Sequence, residues 1–349
     1  MARAPPAAAI PGRIEATVVY LNGPRQLELR KEDLESGSLG PRQVLCETLV
    51  TAISPGTELA AYAGSPALRG GTGYPRLQGY CNVARVVAVG ARVGEVRPGH
   101  RVLSFASHRS HFVFCADEVL LVVPEQARSE DIACAYLFHL GYNAVLRSAV
   151  RPGSRVLVIG LGVLGLTSVA MAALAGARVC ALSEHALPQR LAVEFGAGAV
   201  ASRADLAGIR AALTQDLADV VITTSNSWND WEIALQLAGN RATIAALGFP
   251  GRSEAPGAFN PLDSRYFYAK QLRIEAVGVA PERPDGRGFL RFNERDNLNY
   301  LAELIVGGRL KPASLVCATY PGNDIEQAYR ELLARNTPAI TYLLRWNQE

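Results

Sequence analysis

The sequence is poor in the features that mark disulfide-stapled, metal-lobed or membrane-bound chains. Its six cysteines (Cys46, Cys81, Cys115, Cys134, Cys180 and Cys317) are scattered, and no C-x-x-C spacing occurs. That argues against a disulfide framework and against a four-cysteine zinc lobe, leaving most of these thiols as small hydrophobes. The opening residues have no apolar core long enough for a signal peptide, and no membrane span is expected. The opening Ala/Pro-rich residues 1–12 are expected to form a disordered tail. Charge is low and balanced: 35 Lys and Arg against 32 Asp and Glu give +3, and no basic run forms a stripe. Neither nucleic acid nor a membrane is therefore expected as a partner, and the expected location is the cytoplasm. Internal repeats are absent.

What remains is a 349-residue chain, 49% apolar, with core enough for two domains. From Arg13 to about Ser129 it reads as short strands (Ile14–Leu21, Val44–Ile53, Cys81–Val89, Arg101–Phe105) punctuated by Gly and Pro, a β-rich region. A helix over Cys134–Ala149 follows. From there βα alternation runs to about Val279, the pattern of a doubly wound parallel sheet in an α/β fold. A helix (Asn293–Gly307), a strand (Ser314–Thr319), a helix (Asp324–Ala334) and a last strand (Ala339–Arg345) close the chain.

The most telling stretch is Val156-Leu-Val-Ile-Gly160-Leu-Gly162-Val-Leu-Gly165, a buried strand running into a G-x-G-x-x-G turn and an Ala-rich helix, Leu166–Ala175. Gly160 suits a tight turn, Gly162 lets backbone amides approach a pyrophosphate, and Gly165 lets helix and strand pack closely. With Val163 and Leu164 they form the expected anion cradle at a helix N-terminus. A second strand, Arg178–Leu182, completes the βαβ unit and ends at Ser183, where an acidic residue would bond the adenosine ribose hydroxyls of NAD(H). Ser183 in that place favours NADP(H), with His185 or Arg190 meeting the 2′-phosphate. Glu184, one residue late, keeps NAD(H) open. Thr223, Thr224, Ser225, Leu247, Gly248 and Phe249 end later strands on the cofactor side and are expected to bracket the ribose and nicotinamide.

Several further motifs carry a family resemblance. Pro75-Arg-Leu-Gln-Gly79-Tyr80-Cys81 through Gly90 is similar to a G-H-E-x-x-G-x-V segment, Pro98-Gly-His-Arg-Val102 to a P-G-D-R-V turn, and Leu140-Gly-Tyr-Asn-Ala144 to a helix that packs beside nicotinamide. Together with Ile325–Leu332 they make the chain resemble the medium-chain dehydrogenase/reductase superfamily. Its alcohol and polyol dehydrogenase branch is nearest, including bacteriochlorophyllide-dehydrogenase-like members with Ser-Pro-Gly-Thr-Glu. The resemblance implies a GroES-like catalytic domain over residues 13–135 and 290–349 and a Rossmann domain over 136–289. It also implies a homodimer or homotetramer built on the strand Leu272–Val277. In zinc-dependent members a Cys, a His–Glu pair and a second Cys hold the metal. Here those places read Ser54-Pro-Gly-Thr57-Glu58, Tyr80-Cys81 and Tyr136. No catalytic zinc is therefore expected.

Without metal, a side chain must hold the substrate oxygen. The candidates are His139, Tyr80 and Tyr136, with Thr57 and Glu58 nearby. His139 also suits a hydrogen-bonded core histidine, Tyr80 a packing aromatic and Glu58 a structural cap. His100, His108, His111 and His185 are placed outside the reaction centre. Arg109, Tyr266, Arg291 and Asn293 are read as cleft residues for a hydroxylated small-molecule substrate. The expected reaction interconverts a secondary alcohol and a ketone on a sugar, polyol or cyclitol. An enoyl or quinone reductase and a non-catalytic nucleotide-binding protein are the alternatives.

Overall fold

The computed structural model describes residues 12–66, 73–214, 216–252, 255, 260–334 and 339–347. The expected tail falls almost wholly outside them. The nucleotide half is built on one six-stranded parallel sheet in the order Ala197–Ala201, Arg178–Leu182, Arg155–Ile159, Ala218–Thr223, Ala238–Ala246, Arg273–Ala276. Its central strand is apolar and buried from Val156 to Ile159 because both faces are covered. Val156 and Val158 pack towards helices Ala135–Arg147 and Val163–Leu174, while Leu157 and Ile159 pack towards Leu206–Leu213 and Trp228–Leu237.

The β-rich half holds a seven-stranded sheet. Its path runs Val316–Pro321, Thr341–Arg345, Gln43–Ala52, Asn82–Val89, Arg101–Ser104, Leu121–Val122, with His111–Cys115 also paired to Gln43–Ala52. The last strand of the chain thus lies beside one of the first, antiparallel to it. A small antiparallel sheet (Gln26–Glu35, Arg13–Gly23, Arg76–Leu77) completes this half.

Most expected elements are present with shifted ends. The helix after the glycine turn starts at Val163, not Leu166, and the expected helix Cys134–Ala149 runs Ala135–Arg147, with an additional short helix Ser129–Ala133 just before it. The closing strand begins at Thr341. Strand Gln26–Glu35 and helix Pro55–Tyr62 carried no expectation. One contact fixes the centre of the molecule. A Cβ on Gly141 would lie 2.5 Å from the Thr167 carbonyl carbon. Only a glycine therefore lets helix Ala135–Arg147 close onto the nucleotide helix.

Candidate active site

Gly160, Gly162 and Gly165 form the turn between strand Arg155–Ile159 and helix Val163–Leu174. Gly160 sits at φ +88°, and a Cβ on Gly165 would stand 1.8 Å from the Gly160 carbonyl oxygen. Gly162 is the N-cap of helix Val163–Leu174 and makes no side-chain capping bond, so the first amides of that helix keep their donors for a ligand. Space lies open where a Gly162 Cβ would point. The residues present therefore fit a dinucleotide. Thr224 plays another part than expected: its hydroxyl donates to the Gly160 and Ile159 carbonyls, bracing the glycine turn from beneath. The Ser225 hydroxyl is used on the Ser227 amide, and the buried Thr223 takes the Leu247 and Gly248 amides on its carbonyl. Leu247 is buried and Phe249 half-exposed.

At the ribose end, Ser183 is nearly buried, and its carbonyl is held by Gln189. Glu184 is committed elsewhere. One of its oxygens accepts both the Arg203 amide (2.8 Å) and the Arg203 guanidinium (3.2 Å). That guanidinium is in turn clamped two-pronged by the buried Asp230 carboxylate. His185, the N-cap of helix Ala186–Glu194, and Arg190, at its middle, are exposed, and their side chains have no polar partner among the described residues.

The reaction-centre candidates divide into two groups. Glu58 is 1% exposed and belongs to a closed network. Its carboxylate accepts the Ser54 amide (2.7 Å) and the Tyr329 hydroxyl, and pairs with His108 Nε2 at 2.8 Å. His108 Nδ1 reaches Thr51 Oγ1 (2.7 Å), which also takes the Trp346 indole N–H. Glu58 therefore holds the turn at Ser54, and His108, placed outside the centre by the sequence reading, lies in this network. No local signal gives it away, because its partners are 50 and 57 residues distant.

Tyr80 leaves that network towards the cleft. Its hydroxyl meets Ser54 Oγ and Thr57. Its ring meets Tyr136 edge-on at 5.7 Å, and Tyr136 meets the part-exposed Phe105 at 4.8 Å. Burial raises the Tyr80 and Tyr136 phenols above their ordinary value. His139 stacks on Tyr136 and is 1% exposed. Burial lowers its pKa to about 4, so it is neutral at pH 7. Its Nε2 meets Asn297 at 3.3 Å, and its Nδ1 is buried without a hydrogen-bond partner. Glu294, also buried, faces Tyr136 and His139 from the start of helix Glu294–Val306. Sequence reading did not single out Glu294, Asn297 or Tyr329.

Three of the expected cleft residues are used structurally. Asn293 caps helix Glu294–Val306 through the Asp296 amide. Tyr266 packs against the Leu157–Ile159 face of the nucleotide sheet. Arg109 donates to Ser107 Oγ.

The donor set does not suit zinc. The positions read as ligand places hold two phenols, the Ser54 and Thr57 hydroxyls and the Glu58 carboxylate, which is already engaged by the Ser54 amide, His108 and Tyr329. The Cys81 thiol beside them is fully buried, and burial raises its pKa well above the ordinary value. Among the described residues no three His, Cys, Asp or Glu converge on one point.

Residues 163–293 match the zinc-binding dehydrogenase family. Sorbitol dehydrogenase of Bacillus subtilis (strain 168) is 22% identical over 290 residues, covering 71% of this chain and 78% of the relative. Two solved structures share the fold over 95% of this chain and the whole of their own. They are 2R,3R-butanediol dehydrogenase from Bacillus subtilis (TM-score 0.79, 18% identity) and a zinc-binding dehydrogenase from Sinorhizobium meliloti 1021 bound to NADP (TM-score 0.77, 19% identity).

Proposed function

We propose that this chain is an NAD(P)-dependent, alcohol-dehydrogenase-like oxidoreductase of the medium-chain dehydrogenase/reductase superfamily, a reading supported by its family and structural matches, and that it works without zinc. We propose further that it prefers NADP(H) and interconverts a secondary alcohol and a ketone on a hydroxylated substrate. The observation that carries this reading is the pair Tyr80 and Tyr136, ring centroids 5.7 Å apart, in the places read as metal-ligand positions.

Bound nicotinamide supplies the acceptor or donor of hydride. The chain's residues do the rest. The amides after Gly162 hold the pyrophosphate, and the close approach at Gly141 sets Tyr136 and His139 beside the nucleotide helix. The two phenols hold the substrate oxygen by hydrogen bonds in a half-buried, aromatic-walled site, where such bonds are stronger than in water. Neither phenol ionises near pH 7, so they orient and relay rather than act as free bases.

Cofactor preference is supported by the commitment of Glu184 to Arg203, which leaves the unpaired Arg190 and His185 to meet a phosphate. The exposed edge strand Arg273–Ala276 supports a homodimer, or a dimer of dimers, through sheet extension, checked by solution mass. A cytoplasmic setting fits the sequence, and no helix of the described residues is long and apolar enough to cross a membrane.

The test is a titration with NADPH and NADH followed by nicotinamide fluorescence. Turnover of sorbitol and 2,3-butanediol is then measured alongside the zinc content of the active protein. Tighter NADPH binding and turnover without zinc support the reading; stoichiometric, activity-linked zinc overturns it.

A further inference from the structure

Helices Ala135–Arg147 and Glu294–Val306 face one another with two matched pairs. Tyr136 and His139 are three residues apart on the first, Glu294 and Asn297 three apart on the second, and all four are buried. The Tyr136 ring stacks on His139, and its phenol and the Glu294 carboxylate are near enough to act on each other electrostatically. His139 Nδ1 stands 3.9 Å from Glu294 Oε1, while Nε2 is held by Asn297. A carboxyl group brought into an apolar helix interface and backed by an imidazole nitrogen without a partner is a costly arrangement for structure alone.

A phenol has one proton to give. Given to Glu294, it would leave the Tyr136 oxygen only lone pairs for a substrate, so the phenol would accept a hydrogen bond there. That polarity suits an alcohol. We propose that Glu294 is the proton-holding group of the reaction, acting through the Tyr136 hydroxyl, with His139 and Asn297 fixing the far end of the relay. The proposal rests on the zinc-free reading above.

In the oxidation direction the substrate O–H bond breaks as its carbon gives hydride to the oxidised nicotinamide. The proton passes to the Tyr136 oxygen, and the proton Tyr136 already carried passes to Glu294. Tyr136 ends neutral, the ketone forms, and one proton rests on Glu294 until water takes it before the next turnover. Reduction is the reverse. Burial raises the pKa of Glu294, which suits a group that must hold a proton, and the nearby Tyr136 phenol partly offsets that rise. The titratable groups around it are Tyr136 and His139 on the facing helix and Glu282 in the preceding loop. Asn297 Nδ2 faces His139 Nε2, so Nε2 accepts and the neutral ring carries its proton on Nδ1, the side towards Glu294.

Two readouts test this on the full-length protein, with Glu294→Gln, Glu294→Asp and Tyr136→Phe. The first needs no substrate: infrared titration of the protonated-carboxyl stretch. The expected result is a band that persists above the ordinary carboxylate range, disappears in Glu294→Gln and titrates still higher in Tyr136→Phe. Absence of the band, or a midpoint unmoved by Tyr136→Phe, overturns the relay. The second is kinetic, on whichever of sorbitol and 2,3-butanediol is turned over. Glu294→Gln is expected to lower kcat by about a hundredfold with KM and NADPH affinity little changed, and Glu294→Asp to recover part of the loss. A Glu294→Gln enzyme with the kcat of the parent overturns the relay. If turnover proves zinc-dependent, or neither alcohol reacts, it is the zinc-free alcohol reading that fails, and the infrared result still decides whether Glu294 and Tyr136 are coupled.

Discussion

Ser183 closes the second strand of the nucleotide sheet where a carboxylate would repel a 2′-phosphate, and Glu184 beside it is tied to Arg203. Replacing Ser183 with Asp is expected to weaken NADPH binding by tenfold or more, roughly, and to improve NADH, read by the fluorescence titration. His139 makes a prediction of the opposite kind, in stability. Its folded pKa is about 4 against 6.5 for an exposed imidazole, so below pH 6.5 the unfolded chain takes up a proton that the folded one refuses. The stability that neutral His139 contributes is present above pH 6.5 and lost as pH falls towards 4, about 3 kcal/mol over the whole window. Urea melts at pH 7 and pH 4.5 should therefore show the parent losing about 2 kcal/mol more than His139→Gln. At this scale the sequence was half legible. Tyr80, Tyr136 and His139 could be marked because they replace or flank recognised positions. His108 and Tyr329 could not, because what defines them is a carboxylate 50 and 271 residues away.

Helix Val163–Leu174 and its glycine turn separate folding from binding. A Cβ at Gly165 collides with the Gly160 carbonyl, whereas one at Gly162 meets nothing of the protein within 4 Å. Gly165→Ala is thus expected to lower the melting temperature as well as NADPH affinity. Gly162→Ala should leave the melt unchanged and weaken NADPH binding by about tenfold, through the space a pyrophosphate would fill. Elements were legible where burial was two-sided or periodic. Strand Gln26–Glu35 escaped because its ten residues bury nothing fully, so no apolar alternation marks it. Helix Pro55–Tyr62 escaped because Ser54-Pro-Gly56 reads as a turn, although Pro at N1 is a common way to start a helix.

Across the whole molecule the two halves differ in how the chain is spent. The nucleotide sheet runs in one continuous stretch, Arg155–Ala276. The β-rich half borrows its strand Thr341–Arg345 from the far end, and that strand lies between Val316–Pro321 and Gln43–Ala52. Truncation before Thr341 should therefore leave a protein that fails to melt cooperatively, with the Gln43–Ala52 edge bare, as circular dichroism would show. The same arrangement has a consequence for biosynthesis. A chain emerging from the ribosome completes its nucleotide sheet long before residue 345 appears, so that half is free to fold while translation continues. The Glu58 network, which needs Tyr329 and Trp346, cannot close until the end. Through that interval Gln43–Ala52 lacks its late partner along Val50, Thr51 and Ala52, an open strand edge that a chaperone would shield or a neighbouring nascent chain would find.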